Sequence, residues 1–137
     1  MIIDATDLIV GRLATKAAKA ALLGEKVDVI NCESAILSGT RQSVLAKYRR
    51  KRELGIPLKG PYFPRLPDRF VRRIIRGMLP YKRARGSEAF KRVMCHVGVP
   101  VQFRDKKTET FKDANVGKLP TLKYVKVLEI CKYLGAK

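Results

Sequence analysis

Residues 2–32 read IIDATDLIVGRLATKAAKAALLGEKVDVINC, and their spacing decides the fold. Ile2-Ile3-Asp4-Ala5 is a short apolar run followed by Thr6 and Asp7, either of which suits a helix cap. Val10, Leu13, Ala14, Ala17 and Ala21 then recur at i, i+3, i+4, i+7 and i+11, with Arg12, Lys16 and Lys19 off that stripe. This period predicts an amphipathic helix that runs to Leu23 and stops at Gly24. Val27-Asp-Val-Ile-Asn-Cys32 returns to the pattern of a buried strand. Strand, helix and strand in this order require a crossover, so the two strands are expected side by side and parallel.

Further along, Ala35-Ile-Leu37 reads as a third short strand. Ser38-Gly-Thr40 offers caps for a helix over 41–54, on which Val44, Leu45 and Tyr48 face the protein while Arg41, Lys47, Arg49, Arg50, Lys51 and Arg52 stay outside. The Ser38–Thr40 cluster suits either a simple cap or an anion held at a helix N-terminus. Between Gly55 and Pro67, four prolines and two glycines exclude both helix and central strand, leaving an extended basic loop that carries Lys59 and Arg65. Asp68 is placed to cap a helix over 69–79. Phe70, Val71, Ile74, Ile75 and Met78 make its apolar stripe, and Arg69, Arg72, Arg73 and Arg76 line its other side.

After Pro80 a short helix around 87–92 leads into the strand Val93-Met-Cys-His-Val97. Residues 101–119 read as loop. Tyr124, Val127, Leu128, Cys131 and Leu134 fit a last helix ending at Gly135. The pattern is of the α/β class: one three-layer α/β/α domain, a four-stranded and mainly parallel sheet, and a basic Pro/Gly-rich insertion before the final strand. Residues 101–137 form a variable C-terminal extension.

Charge narrows the function. The chain carries 30 Lys and Arg against 12 Asp and Glu, and the excess is uneven. Residues 41–92 hold 17 cations and 3 acids, whereas residues 1–40 hold 4 and 5. Twelve of those 17 cations are Arg, whose planar fork pairs bidentately with phosphate. A solvated charged face would intersperse acids at i,i+4, so the middle is expected to meet a polyanion. The stretch RGMLPYKRARG, residues 76–86, makes the same point. It offers cations (Arg76, Lys82, Arg83, Arg85), glycines that allow close approach (Gly77, Gly86) and a phenol, and no carboxylate, thiol or imidazole for proton exchange. Tyr48, Tyr62, Phe63 and Tyr81 interleave with the cations, either as platforms for bases or as residues buried at the domain edge. A Pro/Gly-rich loop beside Arg-lined helices suits irregular folded RNA better than a regular duplex groove.

Enzyme readings find little support. G-x-G-x-x-G is absent, and Gly55 to Gly60 continues into Pro-Tyr rather than Lys-Ser/Thr. Asp4 and Asp7 near a strand-to-helix turn suit a cap and a surface charge better than a metal. Cys95 and His96 are adjacent in a strand and point to opposite faces, so they form no nucleophile and base pair. Cys32, Cys95 and Cys131 make no C-x-x-C and read as three buried thiols. No leader pattern and no membrane span is visible, which places the chain in the cytoplasm. No cofactor, metal, membrane or small-molecule substrate is expected.

Several segments carry a resemblance in order along the chain. These are Val10-Gly-Arg-Leu-Ala14, Ile30-Asn-Cys-Glu33 through Ser38-Gly-Thr40, Lys59-Gly-Pro-Tyr62, Ile75-Arg-Gly-Met-Leu-Pro80 followed by Gly86, and Val93-Met-Cys-His-Val-Gly98. Together they resemble the large-subunit ribosomal protein thirteen family, and the compact length with the Val97-Gly-Val-Pro100 exit is similar to its archaeal branch. The resemblance implies an α/β/α fold with a four-stranded parallel sheet and no catalysis. It also implies direct binding to large-subunit rRNA in support of assembly and translation, and contacts with neighbouring ribosomal proteins. In some relatives translational regulation outside the ribosome is a secondary role. On that reading Arg76, Lys82, Arg83 and Arg85 supply charge to the rRNA contact, while Gly77 and Pro80 fix the turn.

Overall fold

The computed structural model describes residues 1–136. The opening segment forms β1 (Ile2–Asp4), α1 (Val10–Leu22) and β2 (Val27–Ile30). After a 3₁₀ turn at Cys32–Ser34 come β3 (Ile36–Ser38), α2 (Arg41–Glu53), α3 (Pro67–Met78), α4 (Ala84–Lys91) and β4 (Val93–Cys95). Three further 3₁₀ turns lead to β5 (Tyr124–Lys126) and α5 (Val127–Tyr133).

β1 and β2 pair in parallel across the α1 crossover, as their spacing predicts, with Ile3 opposite Val29. β4 adds to the other edge of β2, also parallel, with Val29 opposite Cys95. Ile3, Val27, Val29, Val93 and Cys95 share one pleat face and one core with Leu13 and Ala17 of α1 and Phe70, Val71 and Ile75 of α3. β2 is central and buried on both faces, including Asp28 at 8% exposure, whose carboxylate lies 3.2 Å from His96 Nε2.

The expected four-stranded sheet is corrected to three parallel strands and a separate two-stranded pair. β3 does not join the parallel sheet. It pairs antiparallel with β5, Leu37 opposite Val125. β1 gains only a single parallel bridge at its free edge, where the Glu109 N–H donates to the Ile2 carbonyl at 2.8 Å. On the face opposite Ile3 and Val29, Asp28 and Ile30 are buried while Met94 at the β4 edge is 40% exposed.

Local expectations shift by a turn or less. Neither Thr6 nor Asp7 caps α1. Instead Asp4 Oδ1 accepts from the Thr6 N–H at 3.0 Å, the Thr6 hydroxyl at 2.7 Å and Asn31 Nδ2 at 3.0 Å, tying the ends of β1 and β2 together. Burial opposes the Asp4 anion, but these hydrogen bonds outweigh it and hold the carboxyl below the usual aspartate range. Thr40 precedes α2 without donating or accepting a side-chain cap bond. Pro67, not Asp68, opens α3, consistent with the preference of proline for the first helical turn. Tyr124 belongs to β5, and α5 starts only at Val127.

All three thiols are free and buried. Cys32 and Cys95, far apart in sequence, meet at the end of the sheet. A hydrogen bond with Cys32, reinforced by burial, raises the Cys95 thiol well above its usual range. Burial pushes Cys131 up to about 12. Cys95 and Cys131, held protonated in this way, are inert packing groups.

Candidate nucleic-acid interface

α3 builds its face from the 3.6-residue period. Phe70, Val71 and Ile75 turn into the core, which leaves Arg69, Arg72, Arg73 and Arg76 on the other side. With Pro64 and Phe90 these four arginines line one open cleft of about 390 Å³. Each guanidinium except that of Arg69 lies over an aromatic ring: Arg72 on Phe90, Arg73 on Phe63 and Arg76 on Tyr81. Phe90 and Pro64 were not legible as site residues, because a lone ring on an unrelated helix carries no motif.

The remaining expected residues are surface-exposed and fall into separate places. Arg41 and Arg49 flank a groove between α2 and α5 with Tyr133. Arg52 and Arg65 border the basic loop. Arg85 turns toward Lys19 and Met78 at the α1 edge. Lys47, Arg50, Lys51, Lys59, Lys82 and Arg83 are exposed along α2, the loop and the turn before α4. Among the described residues, only Arg41 (to Glu129) and Arg49 (to Glu53) of the expected cations form an ion pair.

Repulsion is therefore uncompensated, and it links two elements. Burial lowers the Lys51 ammonium pKa first, and the charges of Lys47 and Arg73 lower it further. The cationic faces of α2 and α3 thus lie within electrostatic reach of each other.

The aromatic residues divide between the two readings left open: Tyr48 is buried, whereas Tyr62 and Tyr81 are exposed. Tyr48 is buried against Phe63 and Phe70, with ring centroids 5.8 and 4.9 Å away. The hydroxyl of the exposed Tyr62 lies 2.8 and 2.9 Å from the carbonyls of Pro57 and Leu58 and closes the loop on itself. That loop, 55–66, holds no helix or strand beyond one bridge between Ile56 and Gly60. A Cβ at Gly55 would fall 1.9 Å from the Gly60 carbonyl oxygen, so glycine is required there.

The glycines of RGMLPYKRARG divide differently than expected. Gly77 is exposed, and a Cβ there would meet nothing within 4 Å, so it does not fix the turn. Gly86 does. A Cβ on it would fall 2.2 Å from the Pro80 carbonyl oxygen, where α4 packs on the preceding turn.

Among the described residues no group of three or more His, Cys, Asp or Glu side chains is placed to hold a metal, and no helix is long and apolar enough to cross a membrane. The fold and its arginine cleft define a basic α/β domain, four of whose cations are gathered on one helix face.

Comparison with known proteins makes this particular. Residues 1–102 match the family model described as Ribosomal protein L13. The chain is 47% identical to the large ribosomal subunit protein uL13 of Methanosarcina barkeri, over 99% of this chain and 98% of the relative. It is 45% identical to that of Methanococcus maripaludis over 100% and 98% of the two chains, and 43% identical to that of Methanococcoides burtonii over 99% and 98%. The chain belongs to the ribosomal protein L13 family, with archaeal relatives, as its motifs imply. This is a family of ribosomal proteins, not of enzymes.

Proposed function

We propose that this chain is a structural constituent of the large ribosomal subunit that binds large-subunit rRNA directly through residues 41–92. In this role it supports subunit assembly and translation in the cytoplasm, as one domain, with part of its surface against neighbouring ribosomal proteins. The observation that carries the reading is the arginine cleft on α3, adjoined by the cations of α2 and unmatched by acids. Four guanidiniums on one rod suit a backbone of closely spaced phosphates. Lys47, Arg50, Lys51, Arg52, Lys59, Arg65, Lys82, Arg83 and Arg85 extend the contact, with Arg41 and Arg49 exchanging their acidic partners for phosphate. Gly77 leaves room for a close approach of RNA to the α3 backbone.

Sedimentation of cell extract through sucrose gradients tests the reading. The chain is expected to travel with large subunits and to remain there through moderate salt. A purely soluble pool would refute it.

A further inference from the structure

The rings among the cations are themselves occupied. The guanidinium carbon of Arg72 lies 4.5 Å from the Phe90 ring centroid, that of Arg73 lies 4.6 Å from Phe63, and that of Arg76 lies 4.9 Å from Tyr81. Two of the three are also tied to main chain. Arg72 Nε donates to the Val93 carbonyl at 3.0 Å, and Arg73 Nη1 donates to the Tyr62 carbonyl at 3.1 Å. A free arginine must give up much of its rotamer entropy when a ligand fixes it, whereas these forks have given it up on folding. A ring face that carries a guanidinium is also closed to a base on that side.

We infer that Phe90, Phe63 and Tyr81 are positioning residues, which preset the forks of Arg72, Arg73 and Arg76 for phosphates, rather than platforms on which RNA bases stack. The inference rests on the rRNA-binding reading and refines its chemistry. The ligand is the folded phosphodiester backbone, met by guanidinium edges. Arg69, exposed and free of any ring contact among the described residues, is the unheld member of the cleft and contributes charge alone.

Two double-mutant cycles test this, Tyr81→Leu with Arg76→Gln and Phe90→Leu with Arg72→Gln, read as affinity for a full-length large-subunit rRNA transcript at several salt concentrations. Tyr81 is 43% exposed and has a small role in the core, so its variant is expected to keep the unfolding temperature of the parent. Tyr81→Leu is expected to weaken binding roughly three- to tenfold, the effect of loosening one side chain. The salt slope should stay unchanged because no charge is removed. Tyr81→Phe should restore affinity, and Tyr81→Leu should add nothing once Arg76 is Gln. An equal loss in both backgrounds would show that the ring itself meets RNA and would overturn the inference. A loss on Arg76→Gln with none on Tyr81→Leu would overturn it while leaving rRNA binding intact. No loss from either would overturn the inference and show that Arg76 meets no phosphate, leaving the rRNA-binding reading to the sedimentation test. If Phe90→Leu fails to fold, the Tyr81 cycle alone decides.

Discussion

Gly77 and Gly86 stand in one basic run and answer to different constraints. At Gly86 an added methyl group collides with the Pro80 and Tyr81 backbone, which cannot move without lifting α4. Gly86→Ala is therefore expected to destabilise the protein by roughly 2 kcal/mol or more, the range of an overpacked core site. At Gly77 the methyl group meets nothing, and a helix gains about 0.5–1 kcal/mol when alanine replaces glycine. Gly77→Ala should thus raise stability slightly in urea unfolding, and a loss would contradict this account. Other motif residues are likewise structural. Asn31 sits at a left-handed φ of 54° and bonds Asp4, while both Glu33 carboxylate oxygens accept from the Gly98 N–H at 3.1 Å. Asp4 and Asp7 read as a cap and a surface charge, but neither caps α1, and the network around Asp4 depends on Asn31, brought near only by strand pairing.

At the scale of elements, α2 and α3 each carry cations on the solvent side and press those cations toward one another. Lys51 feels Lys47 on its own helix and Arg73 on the next. Replacing it by methionine keeps the stem and removes the repulsion. Lys51→Met is expected to stabilise the free protein by roughly a few tenths of a kcal/mol in thermal unfolding while weakening rRNA binding. Lower stability, or unchanged binding, would count against the shared cationic surface. The helices and the β1-α1-β2 unit were legible because a 3.6-residue period or an apolar run repeats enough to show itself. β3 and β5 were not assignable as a pair. Each has three residues, and Ile36 and Lys126 meet only in the folded chain. Residue Tyr124 fitted a helical stripe by spacing alone, and tertiary pairing with Ser38 overrode it. Of the candidate site, the arginine stripe could be read from spacing. Its aromatic supports could not, since Phe90 reaches Arg72 only because α3 and α4 both pack against β4.

For the whole molecule, the segment after residue 102 does more than trail behind the region matched by the family model. Phe103, Ala114, Val125, Val127, Ile130, Cys131 and Leu134 are buried, and Glu109 and β5 supply backbone partners to β1 and β3. Removing residues 103–137 would uncover the core beneath α3 and leave those backbone groups unpaired. A chain ending at residue 102 is expected to lose cooperative unfolding by circular dichroism, and a truncated chain that unfolds like the full one would contradict this. Charge is distributed over the same body so that the acids lie mainly outside residues 41–92. The central claim is that phosphates of rRNA lie against this cationic region, and above all against α3. It is tested most directly by the slope of log affinity for large-subunit rRNA against log salt, compared between the native chain and one with Arg69, Arg72, Arg73 and Arg76 all replaced by Gln. Loss of four phosphate contacts should make that slope shallower by roughly 3, and a slope that does not change would show that RNA binds elsewhere or not at all.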